Sequence, residues 1–455
     1  MVAMPDATRH SDVVFGKNSD RPAGECQVLF SGPARSKGPE SWIHCSHVRV
    51  AESEDTLATL GCRPYWCWGY ETGLNEAGVV GGNAAVFTRA LRQPKHDAKP
   101  GLTGMDLLRL GLERGRSAEE ALGVIATLLE HYGQWGSAVQ GKDHQKGSYE
   151  NAFLLADREA AWVMETSGRS WVAERVTNGV RSISNQLTIR RRWSKGSPGV
   201  EEQAAESGWW TPEVSDLDFA HAFGDHENYS RQVSHLRWKR TSQLLEQNRG
   251  QLDAPTMMGI LRDHYEDTFL KGPQFHPYLP DFQTVCMHDS PAGFTWGDTA
   301  TSVVVEIDPR GVRPPLMWVA YLPPCTSIYM AFTLSGDLPD AISRVGGAGL
   351  KVRRPDEAPA DQFSPSALWW RLHRIVREVK KDPLDRRVEL RSVLDPVERR
   401  HIQQVTEMRS REKQADGAEW NRVAAKHVSD VIEALSQIET RWKIARSSRT
   451  DGRKR

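Results

Sequence analysis

Short β-rich apolar runs dominate the first hundred positions. Val13-Val14-Phe15 stops at Gly16, Val28-Leu29-Phe30 stops at Ser31-Gly32-Pro33, and residues 43–50 form a third run. Each has the length and punctuation of a strand. Residues 79–87 (VVGGNAAVF) predict a strand buried on both faces, with small residues where something packs closely. From Thr103 to Tyr132 the period changes to that of a helix. One helical piece covers 106–113, and Ser117 with Glu120 opens a second as a capping box, which Gly133 ends. Strands are expected again at 152–156, 161–166, 171–176 and 181–185, with hairpin turns at Asp157-Arg158-Glu159 and Thr177-Asn178-Gly179. After a loop-rich stretch at 194–230, helices are expected at 231–247 and 255–264, then strands at 283–287, 300–307 and 316–321. The order is that of an α+β or layered fold without internal repeats, and not of repeated βαβ units.

Beyond about Val345 the composition shifts. Residues 351–455 hold 25 basic and 17 acidic side chains, so this portion is net basic although the whole chain is neutral, with 59 of each sign. Leu368, Leu372 and Val376, then Val428, Val431, Ile432, Leu435, Ile438 and Trp442, recur at helical spacing. The expected organisation is a main domain over 1–340 and a helical appendage over 345–446, packed on the body or on a second copy of the chain. A frayed basic tail over 447–455 would follow. Overall neutrality argues against a nucleic-acid or membrane-surface partner, and no apolar run approaches the ~20 residues of a membrane span. The start of the chain lacks the pattern of a signal peptide, and six cysteines without framework spacing point to reduced thiols in the cytoplasm.

Chemistry concentrates in a few polar segments. Phe15-Gly16-Lys17-Asn18-Ser19-Asp20-Arg21-Pro22 releases five polar or charged residues where a strand ends, which reads as a polar turn or as a site. Asn83 is embedded in the apolar strand and needs a partner for its amide, from the structure or from a ligand. Ile183-Ser184-Asn185-Gln186 ends another strand with carboxamides, placed to line a cleft.

Taken in order, GKNSDRP (16–22), RPYWCWGYETGLNEAGV (63–79), GGNAAVF (81–87), LTGMDLLRLGLERG (102–115), YENAFLLADREAAWVMETSGRSWVAERV (149–176) and SISNQLTI (182–189) resemble peptidase family C69. This family comprises the dipeptidases and secernins of the N-terminal nucleophile (Ntn) hydrolase superfamily. The likeness runs through roughly 2–335. It implies a four-layer αββα sandwich of two antiparallel sheets between helices, and a catalytic Cys at the mature N-terminus. That thiol would attack an amide carbonyl while its own α-amine, titrating near 7.7–8.0 in model compounds, moves the proton. By the same resemblance Asp20 holds the α-amine, Arg21 fixes the nucleophile or substrate, Asn83 supplies an oxyanion contact and Asn185 binds the amine or the intermediate. Lys17 and Arg237 take supporting positions, and Trp66 and Trp68 are candidates for the pocket wall. For each of these residues, local satisfaction of a strand-end group or simple core packing is the competing reading.

Family members begin approximately Cys-Asp-Thr-x-Val-Ala-x-Pro-x-Ala-Thr. Met1-Val2-Ala3-Met4-Pro5-Asp6-Ala7-Thr8 matches from the "x", so the nucleophile is expected three residues before Met1, outside the chain. Either the start lies upstream or the protein is a non-catalytic relative, and the chain as written is expected to be inactive. The leading expectation is a cysteine-type dipeptidase acting on small peptides. The alternatives are an N-acyl amide hydrolase of the penicillin V or bile-salt acylase type, and a secernin-like binding protein. No cofactor is expected, since phosphate-binding glycine loops are lacking. No metal is expected either: His44 and Cys45 alternate across one strand, and Cys62 and Cys67 are too far apart for a zinc knuckle.

Overall fold

The computed structural model describes residues 1–444 except 37–41, 93–98, 141, 143, 145–146, 213–215, 228–230, 269, 271–282, 290–296, 344–363, 365 and 412–414, and the side chains of 231–233. The basic segment expected to fray therefore lies outside the described residues. Two antiparallel sheets form the body. The first orders its strands Val180–Arg181, Val2–Ala3, Val13–Pro22, Gly297–Ile307, Leu316–Tyr321 and Met330–Phe332. The second runs Lys195–Gly196, Ser170–Val176, Ala161–Ser167, Glu150–Ala156, Val80–Val86, Thr72–Asn75, Thr59–Pro64 and Gln27–Gly32.

Period-2 alternation divides each strand between two cores. Phe15, Val303, Val305 and Val319 of the first sheet face Val28, Leu60, Leu74, Leu154 and Val163 of the second in one buried cluster. The opposite face of the second sheet (Phe153, Leu155, Trp162, Met164) packs on the helices Gly104–Arg114 and Ala118–Tyr132. Val14, Val304, Trp318 and Ala320, on the outer face of the first sheet, pack on Ala254–Leu261 and on the C-terminal helices. The result is the expected αββα sandwich.

Four expectations need correction. The polar stretch 16–22 is no turn, because the strand continues to Pro22 and pairs along its length with 297–307. A nonlocal partner satisfies its backbone, so polar side chains cost the strand nothing at a cleft rim. Residues 283–287 lie outside both sheets, held instead by Asn18 Nδ2 on Val285 O (2.8 Å) and by Thr299, whose N donates to Met287 O at 2.9 Å. In the segment 181–185 regular pairing covers only Val180–Arg181. The full capping box also belongs to the first helix, between Thr103 and Asp106. At Ser117 the hydroxyl accepts from Glu120 N, whereas the Glu120 carboxylate accepts from Arg116 N.

The appendage comprises Leu368–Val379, Pro383–Arg409 and Gly417–Arg441, and it packs on the body. Leu368, Leu372, Val376, Val431, Leu435 and Ile438 are all buried. Polar contacts fix the docking: Arg262 donates to Glu398 (2.6 Å), which also accepts from Tyr329 N (2.9 Å), and Lys380 reaches Asp298 (2.9 Å). His401 and His427 stack at 3.7 Å in this interface, and His427 Nδ1 accepts from Ala331 N.

Burial, then His401 and Lys426, pulls the His427 imidazole down to about 2. His401 is also lowered by burial, against the opposing pull of Asp430 and Glu398. Histidines held neutral in the fold but free to charge at about 6.5 when unfolded contribute stability that is full above that pH and lost as pH falls below it. Urea unfolding at pH 5.5 should therefore show about 1.4 kcal/mol less stability than at pH 7.5 from His427 alone. His427→Gln should remove that part of the difference; an unchanged pH dependence in the variant would count against it.

Candidate functional site

Between the ends of the two sheets lies a cleft of about 380 Å³, within the range of small-molecule sites. The strand 13–22 contributes Lys17, Asn18, Asp20 and Arg21, the strand 80–86 contributes Gly82 and Asn83, and the segment 183–185 forms a third side. Glu165, buried in the strand 161–167, accepts from Thr188 N and Ile189 N at 2.7 and 3.0 Å and so anchors that third segment. Arg237 and Thr241, one turn apart on the helix Arg231–Gln247, close the cleft from above.

Arg237 is the hub. Its Nη1 donates to Asp20 Oδ2 at 3.0 Å and its Nη2 to Asn185 Oδ1 at 2.6 Å. Thr299 Oγ1 donates to the other oxygen of Asp20 (2.8 Å), and Asn185 Nδ2 donates to Ala85 O (2.9 Å). One guanidinium thus ties three chain segments together, and charge assistance makes these strong contacts. Lys17 Nζ donates to Ser19 Oγ at 2.8 Å. Burial draws the Lys17 ammonium below its ordinary range, opposed by Glu71 and Asp20. Its aliphatic stem requires Gly82, since a Cβ there would lie 2.4 Å from Lys17 Cδ.

Asn83 is buried and donates to Asn151 Oδ1 (3.0 Å), while Asn151 in turn donates to Gln134 Oε1 (2.8 Å). This amide chain runs under the start of the helix Gly104–Arg114. A Cβ on Gly104 would come within 1.7 Å of Asn151 Oδ1, so a glycine is needed there. Arg21 lies deeper, donating to Glu25 and to Ala138 O (2.7 Å), with Glu71 at 3.3 Å.

Asp20, Arg21, Lys17, Asn83, Asn185 and Arg237 therefore surround one cleft. Trp66 and Trp68 do not line it. Trp66 is fully buried and donates to Glu25 Oε1 (2.9 Å), packing beneath Arg21, so it supports the site floor without reaching its surface. Trp68 belongs to the outer core against the helices, with Arg109 4.1 Å over its ring. Sequence reasoning missed Glu71, Tyr149, Thr241 and Thr299. Glu71 and Tyr149 stand inside quoted motif stretches and were within reach; Thr241 and Thr299 carry no local signal.

Residues 67–259 match the model of peptidase family C69. Among solved structures, penicillin V acylase from Agrobacterium tumefaciens is similar at 14% identity with a TM-score of 0.37, over 73% of this chain and 84% of that one. A variant of conjugated bile acid hydrolase from Clostridium perfringens is similar at 12% identity and a TM-score of 0.37, over 70% and 88%. An N-acylethanolamine-hydrolyzing acid amidase ortholog from Caenorhabditis elegans is similar at 11% identity and a TM-score of 0.27, over 67% and 90%. A hydrolase is what the family match supports, and the match spans less than half of the 455-residue chain.

Proposed function

We propose that this protein is a cysteine-type dipeptidase whose nucleophile is supplied by a residue ahead of Met1. The observation that carries the reading is the register of the first strand. Val2 pairs with Phe15 on one side and Arg181 on the other, and Met1 N donates to Gly16 O. In an antiparallel pair the two residue numbers have a constant sum, here 17 on one side and 183 on the other. Along the strand 13–22, which continues regularly, three residues back from Met1 brings a residue opposite Ser19, at the rim where Asp20, Asn185 and Arg237 meet. A Cys there would have its α-amine beside a carboxylate and a carboxamide.

In the proposed reaction the thiol sulfur bonds to the amide carbonyl carbon and gives its proton to the α-amine. The amine passes that proton to the departing amino group as the C–N bond breaks. Water then hydrolyses the thioester by the reverse transfer. Asn83, whose amide also meets Asn151 and Tyr149, is assigned to the oxyanion. Lys17 is assigned to the substrate carboxylate. A cytoplasmic setting belongs to the same reading, since all six cysteines are free thiols.

The test is to produce the chain with Cys-Asp-Thr restored ahead of Met1 and the initiator Met removed. We expect dipeptide hydrolysis that is absent when the added Cys is Ala. A folded, correctly processed chain inert toward dipeptides would sink the reading. A second reading, an N-acyl amide hydrolase, is favoured by the apolar lining at Phe87, Val139, Ile183, Leu261, Val285 and Met287. A higher kcat/KM for acyl amides than for dipeptides would establish it, and inertness toward both would leave the binding-protein alternative.

A further inference from the structure

Four buried side chains outside the cleft converge on one point. His264, Cys286, His288 and Cys325 bring their ligand atoms within 4.8 Å of one another. The two Nε2 atoms of His264 and His288 are 3.1 Å apart, and His288 Nε2 lies 3.6 Å from Cys286 Sγ and 3.4 Å from Cys325 Sγ. Tetrahedral zinc with Zn–N of about 2.05 Å and Zn–S of about 2.3 Å requires N···N and N···S edges of about 3.3 and 3.6 Å. The observed separations match those edges to within about 0.3 Å.

We propose that these four residues bind one Zn²⁺ as a closed structural site. Two thiolates and two neutral imidazoles cancel the charge of the ion, as burial demands. Two cysteines and two histidines in a compact tetrad form a soft–borderline donor set that suits zinc and not the oxygen-seeking cations. The outer shell is also built. His264 Nδ1 bonds Glu266 Oε1 at 2.8 Å, and Glu266 accepts from His264 N as well, which turns Nε2 inward. With four protein ligands the ion has no open position, so it stabilises and does not catalyse.

Its place in the fold gives it a purpose. Along the segment 283–288, Gln283, Val285 and Met287 line the cleft, whereas Cys286 and His288 belong to the metal-ligand cluster. Cys325 sits in the turn Pro324–Thr326, next to Pro324 O, which accepts from Arg262, the residue that also grips Glu398 of the appendage. The ion would pin a cleft wall to the segment after the helix Ala254–Leu261 and to the turn on which the appendage docks. The inference is independent of the peptidase reading.

The test is metal analysis of the full chain purified under reducing conditions from zinc-supplemented cells. We expect about one zinc per chain, falling at least about tenfold in Cys286→Ser/Cys325→Ser. As a measurement independent of that variant's folding, the unaltered chain is also stripped with a chelator and refilled with Co²⁺. A tetrahedral d–d spectrum with thiolate charge transfer is expected, together with release of two thiol protons. Glu266→Gln should weaken metal retention about 10–100-fold in chelator competition. A folded chain that keeps both thiols, holds no zinc and gives no tetrahedral cobalt spectrum overturns the proposal. A Cys286–Cys325 disulfide in freshly purified, metal-free protein does the same.

Discussion

Asp20→Asn, introduced in the chain that carries Cys-Asp-Thr ahead of Met1, is expected to lower kcat/KM for dipeptides about 10²–10³-fold while also losing stability through the broken pair with Arg237. Asparagine keeps the shape of the side chain and can still accept from Thr299 Oγ1, so the strand 13–22 is not disturbed. What disappears is the negative charge facing Arg237 at 3.0 Å. Left without its counter-ion, the guanidinium would repel the protonated α-amine and pull Asn185, its other partner, away from the register position. Catalysis should fall in kcat more than KM rises, because the lost interaction orients the nucleophile. A variant retaining more than about a third of the activity would show that Asp20 serves only to seat Arg237.

Arg21→Met should act on stability first. The guanidinium is 5% exposed and stands between Glu25 and Glu71, themselves 11% and 7% exposed. Removing it leaves two carboxylates buried side by side and Ala138 O without its donor. Breaking a buried ion pair from one side typically costs about 3–5 kcal/mol, far above the loss of the methylene packing that Met would replace. Urea unfolding should register that loss, and Arg21→Met/Glu71→Gln should recover part of it by removing one uncompensated charge. Unchanged unfolding in the single variant, with activity lost, would instead make Arg21 a substrate-binding group.

Much of the architecture follows from local pattern. The helices 104–114 and 118–132 have an apolar face, acceptor caps and glycine stops within a few residues, so short-range rules find them. The strands 150–156, 161–167 and 170–176 are short runs bounded by turns, equally local signals, and their hairpin turns set the register. Spaced apolar residues beyond 368 sufficed to call up helices that must cover something. The polar segments at strand ends likewise pointed to a cleft, since groups that cannot satisfy themselves in a core must reach a surface.

What these patterns could not reveal is pairing across distance. Residues 16–22 look like a turn because strand character is ordinarily read from side chains; here the backbone partners, within 297–307, lie 275 to 288 positions away and supply the hydrogen bonds instead. Trp66 and Trp68 differ in burial and neighbours although only one residue separates them, because the chain turns between the inner and outer cores. The tetrad of His264, Cys286, His288 and Cys325 has no motif spacing and was read from the sequence as no metal at all. The sequence by itself determined which residues are apolar at which period, hence most of the elements and the layered class. Only the tertiary structure decided which polar groups meet, because a contact such as Arg237 to Asp20, 217 residues apart, is set by the closing of two sheets and by no local rule.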